Sequence, residues 1–184
     1  MPNILPMTSL LRFAALFLAL LLGGCYETDF PVFHKGEKAA IAGTFACTNS
    51  LNGRTNTSTF AERQVGSWPF ASYQYVAEEG DVSLLRKAPS GLWVAQSANA
   101  KGRHTFGFVE MVDDKTFLVM TPDLLNKSAQ IETLRKQFAV EATKPSELYE
   151  SLLLTGNPDR IADFLFAHDK TLLTVLFKCE RQAR

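Results

Sequence analysis

From Ala40 to Thr121 the chain alternates apolar and polar positions in short runs broken by turn residues, the period of strands with one wet face. The pattern predicts strands at Ile41 to Thr48, Thr57 to Val65, Ser72 to Val76, Val82 to Lys87, Leu92 to Ser97, His104 to Val112 and Thr116 to Thr121. Asn52-Gly53 in "LNGR" is a pair favoured in tight hairpin turns. "EEGD", "APSG", "SANAKGR" and "DDK" supply the other turns. "TFLVM" is apolar at successive positions, so that strand is expected to be central.

The C-terminal third changes period. Thr121-Pro122-Asp123 and Asn157-Pro158-Asp159 each combine a capping residue, a proline for the first helical position and an acid for the first turn. Leu124, Ile131, Leu134 and Phe138 fall near one face of the first expected helix. Ile161, Phe164, Leu165 and His168 form a stripe on the second. "FAVEAT" reads as strand, "SELYESLLL" as either type, and Thr171 to Cys179 as a closing apolar strand. The expected fold class is α+β: a curved antiparallel β-sheet meander packed by two C-terminal helices, with one disulfide.

The N-terminus has a different character. Phe13 to Leu22 is an apolar run preceded by Arg12, nearer in length to a signal-peptide core than to the roughly 20 residues that cross a bilayer. The quartet Leu22-Gly23-Gly24-Cys25 resembles the lipobox of bacterial lipoprotein precursors, with Gly23 where that family more often has Ala or Ser. The resemblance covers only this segment. It implies cleavage after Gly24, a diacylglycerol on Cys25 and acylation of the new α-amino group. Two or three chains on one residue make release from a bilayer negligible, since each buried methylene contributes about 0.8 kcal/mol. Tyr26, not Asp, follows the cysteine, which points to the outer membrane. The expected organisation is a removed signal at 1–24, a tether at 25–39 and one globular domain at 40–184. A start at Met7 in place of Met1 would give the signal more ordinary proportions.

Charge excludes one class of partner. Basic and acidic residues number 19 each and are scattered, so no basic face for nucleic acid is expected. In an exported chain Cys47 and Cys179 are expected to pair, fastening the first strand of the domain to the last.

Candidate chemistry is sparse. His34, His104 and His168 lack the local ligand spacing of a metal site. His168, at a helix end, reads as a cation favoured by the helix dipole. No nucleophile motif or phosphate-binding glycine loop is present, and the acid pairs Glu78-Glu79 and Asp113-Asp114 sit in expected turns. No catalytic residue, metal or cofactor is therefore assigned. "GSWPFASYQY" places Trp68 and Phe70 around a proline, where they either plug one end of the sheet, the plainer reading, or form a contact surface. The polar loop holding Asn52 is a second contact candidate. The sequence thus points to a lipid-anchored envelope protein that binds a protein or glycan partner. The alternatives are an envelope hydrolase built around His104 and an acid, an enzyme inhibitor, and a hydrophobe carrier marked by a large apolar cavity.

Overall fold

The structure, a computed structural model, describes residues 26–78, 80–99, 102–144 and 151–183. The signal-like segment, Cys25 and most of "SELYESLLL" lie outside the described residues. Among the described residues, eleven strands and two α-helices follow in chain order. They are β1 (Tyr26–Thr28), β2 (Gly43–Asn49), β3 (Thr55–Val65), β4 (Ser72–Ala77), β5 (Val82–Lys87), β6 (Trp93–Ala98), β7 (His104–Met111), β8 (Thr116–Pro122), α1 (Ser128–Gln137), β9 (Glu141–Thr143), β10 (Leu152–Thr155), α2 (Pro158–Phe166) and β11 (Leu173–Arg181).

Strands β2 to β8 pair each with the next, all antiparallel, and β11 slots between β8 and β2. The ring is complete: an up-and-down barrel of eight strands with no free edge among its members. The expected meander is therefore a closed barrel, and the fold is mostly β where α+β was expected. The two helices and the short strands β9 and β10 lie in the insertion between β8 and β11, and the short β1 precedes the ring. Closure follows from β11, whose ladder to β2 pairs Cys179 with Cys47 and whose ladder to β8 pairs Cys179 with Phe117. The expected disulfide is present, with Sγ–Sγ 2.07 Å.

Residues alternate between the inside and outside of the barrel, and on β6, β7 and β8 both faces meet a buried core. Inward-facing Phe45, Cys47, Tyr75, Leu85, Trp93, Val109, Phe117, Phe177 and Cys179 share one buried cluster. Val94, Phe106, Phe108 and Met120 face outward from β6, β7 and β8 and, with Leu92 just before β6, share a buried cluster with Ile131 of α1 and Ile161, Phe164 and Leu165 of α2. The second helix begins as its sequence signals predict: Asn157 Oδ1 accepts from the Asp159 and Arg160 amides at 2.8 and 3.4 Å. The first does not. Pro122 is still in β8, Asp123 caps a turn by accepting from the Asn126 amide at 3.0 Å, and α1 starts only at Ser128. A proline that ends a strand carries the same local signal as one that opens a helix.

The expected tether is built into the fold from its second residue. Tyr26–Thr28 pairs antiparallel with the first half of β7 and parallel with β10, and Tyr26 is fully buried. Further on, the Gln96 side-chain oxygen accepts from the Val32 and Phe33 amides, each at 2.8 Å, while its nitrogen donates to Phe33 O at 2.9 Å. The chain then crosses where β4 and β5 part, their ladder being confined to Tyr75–Ser83 and Val76–Val82. There Tyr73 N donates to Gly36 O at 3.0 Å, and Glu37 N donates to Leu85 O at 2.7 Å. A side chain at Gly36 would overlap the Tyr73 carbonyl oxygen, so only glycine fits the crossing. Beyond it, Ala39 and Ile41 are buried with the inner cluster.

An apolar cavity in the barrel as the candidate functional site

The two ends of the barrel differ. At the end holding Gly43, Lys87 and Arg181, residues 39–42 act as a stopper. The Tyr75 hydroxyl donates to Ala39 O at 2.8 Å and accepts from Ala39 N at 2.6 Å. Burial pushes that phenol up to about 12, against a smaller opposing effect of the Ala39 backbone bond. Arg181 lies 4.6 Å from the Phe45 ring centroid and donates to Ala42 O at 2.7 Å and Ala40 O at 3.2 Å. The opposite end, where β2 turns into β3, has no such stopper among the described residues. Asn56 pairs with Cys47 and so shares its inward register, yet it is exposed.

Inside this open end lies a cavity of about 120 Å³. Its cause is a patch of small side chains on three neighbouring strands. One rung runs Ser83–Ser97–Thr105 and the next Leu85–Ala95–Gly107, so four of those six positions carry two or fewer side-chain heavy atoms. A Cβ placed on Gly107 would meet only Met120 O within 4 Å, at 3.8 Å. The facing wall is large and apolar: Phe60, Phe117, Val119, Phe177 and the Cys47–Cys179 disulfide, with Ile41 and Tyr75 toward the stopper. One larger residue at Gly107 would narrow this space.

The polar atoms of the lining are hydroxyls. Ser83 Oγ and Ser97 Oγ are 2.6 Å apart across the ladder, and Thr105 Oγ1 donates to Ser97 O at 3.3 Å. Among the described residues no carboxylate, imidazole or amine lines the space. The arrangement can enclose an apolar group and offer it a hydrogen bond near the mouth.

The sequence-predicted residues fall elsewhere, apart from the disulfide, which forms part of the cavity wall. Trp68 and Phe70 stand at the tip of the β3–β4 hairpin, 87% and 73% exposed, with Lys35 Nζ 5.6 Å from the Phe70 ring centroid. They do not plug the sheet, because residues 39–42 already fill that end. Asn52 is exposed in the β2–β3 turn, its Oδ1 accepting from the Arg54 amide at 2.9 Å.

The histidines are not brought together. His34 is exposed. His104, at the start of β7, is held below its ordinary value by burial, and no acid among the described residues hydrogen-bonds to it. His168 is fully buried, with Nδ1 2.9 Å from Phe164 O and Nε2 2.9 Å from the Tyr26 hydroxyl. A carbonyl can only accept, so Nδ1 carries the proton and Nε2 accepts from Tyr26. Burial lowers His168 to about 4, outweighing the bonds and the Asp169 charge that raise it. The expected cation at a helix end is thus a neutral clasp between α2 and β1. No cluster of three or more metal-ligating side chains occurs among the described residues.

The fold and cavity define a class: a closed antiparallel barrel with a neutral internal cavity, stoppered at one end and, among the described residues, not at the other. Comparison with known proteins finds no matching family model, no matching curated protein and no matching solved structure.

The cavity has a signal in the sequence that strand periodicity alone does not reveal. Ser83, Ala95, Ser97, Thr105 and Gly107 are small residues on the inward phase of three successive strands.

Proposed function

We propose that this chain is a lipid-anchored protein of the bacterial envelope that acts by binding, with Cys25 as the acylated residue and the open end of the barrel as its working face. The cavity carries the binding reading. An interior stoppered at one end and lined, among the described residues, without a charged group suits capture of an apolar group rather than proton transfer. The group would belong to a partner in the envelope, a protein or glycan bearing an apolar moiety. The exposure of Trp68 and Phe70 supports a second contact at the hairpin tip.

The anchor rests on the Leu22–Cys25 quartet, and the outer membrane on Tyr26 at the following position. Mass spectrometry of the protein extracted from its own membranes tests it, with Cys25→Ala as the control. The expected product begins at Cys25 and carries a diacylglycerol and an acyl group, and the variant leaves the membrane fraction. An unmodified thiol, with both proteins fractionating alike, overturns the anchor.

A further inference from the structure

We infer that the cavity receives one small, neutral, mainly apolar group, a single six-membered ring or an alkyl end of similar bulk, held by a hydrogen bond from the Ser83–Ser97 hydroxyl pair. The inference deepens the binding reading above and rests on it. Size sets the first limit. An apolar cavity of about 150 Å³ holds benzene, whereas sites for drug-sized ligands run from about 300 Å³ upward. A space of about 120 Å³ therefore takes a ring or a short chain and not a whole lipid tail.

Charge sets the second limit. A carboxylate or ammonium in this space would lose its water with no opposite charge in the described lining to replace it. Hydrogen-bond arithmetic sets the third. Two serine hydroxyls carry two protons and their mutual contact uses one, so the second can be donated to an oxygen on the guest. Both residues are half-buried at the mouth side, which places the guest's polar atom outward and its apolar body toward Gly107, Phe117 and Phe177.

The test uses the exported full chain carrying Cys25→Ser, so that no attached acyl chain competes. Calorimetric titration is run with p-cresol, toluene, 1-hexanol, hexanoate and palmitate. Saturable one-to-one binding is expected for p-cresol, toluene and 1-hexanol, with hexanoate at least tenfold weaker than hexanol and palmitate not saturating. The cresol hydroxyl is expected to tighten binding roughly tenfold over toluene, an advantage lost in the Ser83→Ala, Ser97→Ala double variant. Gly107→Val and Ala95→Leu each fill the floor and are expected to abolish binding while the circular dichroism spectrum is kept. Should either misfold, amide NMR shifts at Ala95 and Gly107 on adding p-cresol to the unfilled chain serve instead. Absence of saturable binding, tight binding of hexanoate or palmitate, undiminished binding in folded filled variants, or unmoved amides at both positions overturns the inference. An unmodified Cys25 in the native protein would remove the anchor and leave this result standing.

Discussion

The buried His168 makes the fold acid-sensitive in a window that can be worked out in advance. In the unfolded chain the imidazole titrates near 6.5, while in the fold burial among Tyr26, Phe108 and Phe164 lowers it to about 4. The unfolded state therefore binds a proton first. Stability is fully present above the unfolded value and falls as pH drops through the window between the two. A gap of about 2.5 units corresponds to about 3 kcal/mol below pH 4, of which about 2 kcal/mol is already lost at pH 5. Protonation also turns Nε2 from acceptor to donor facing a hydroxyl that now donates to it, so the Tyr26 bond has to reorganise. Urea unfolding of the wild type and His168→Gln, at half-unit steps from pH 7.5 to 5, measures the effect. This range stays above the carboxylates, and His104, also lowered by burial, contributes equally to both proteins. The wild type is expected to lose about 2 kcal/mol more than the variant across that range. Parallel profiles, or a wild type that gains stability on acidification, would refute the assignment of His168 as a neutral clasp.

Two further outcomes follow from the fold. Gly36→Ala drives a methyl into the Tyr73 carbonyl at the crossing between β4 and β5, and is expected to destabilise by roughly 2–4 kcal/mol in chemical denaturation. A loss under 0.5 kcal/mol would mean that the chain does not cross there. Replacing both Cys47 and Cys179 by serine opens a link spanning 132 residues, for which the chain-entropy model gives up to about 5 kcal/mol. The melting temperature of the variant, compared with wild type with and without reductant, checks it; an unchanged value would show that the barrel closes equally well unlinked.

Much of the barrel is legible in the sequence because strand periodicity is a local property. The expected strands from Ile41 to Thr121, and the last from Thr171, start and stop within two residues of those observed. The stripe Ile161, Phe164, Leu165 and His168 is buried along its whole length, since helical spacing is local too. Closure is not local. The order of seven hairpin-linked strands reads the same for an open sheet and a ring, and only the pairing of β11 with both β8 and β2 decides between them. The Cys47–Cys179 link was the one sequence sign of that pairing. His168 misled for a related reason: its helix-end position is visible in sequence, whereas the Tyr26 hydroxyl that meets it comes from 142 residues away.

The cavity and the path of the N-terminal segment have a common physical origin. Ser83, Ala95, Ser97, Thr105 and Gly107 could not by themselves hold a barrel open, because a ring of eight strands can relax around small residues. Here relaxation is opposed on two sides. The segment 36–37 is hydrogen-bonded into the gap between β4 and β5 and holds those strands apart at the stoppered end. On the other side, α2 and β1 fix the outer faces of β7 and β8 through Phe108, Phe164 and the Tyr26–His168 bond. With the wall held from outside and wedged at one end, the void persists toward the other. β1 adds to this brace: it runs antiparallel to β7, with Tyr26 opposite Phe106 and Thr28 opposite His104, along the outside of the mouth half of the barrel.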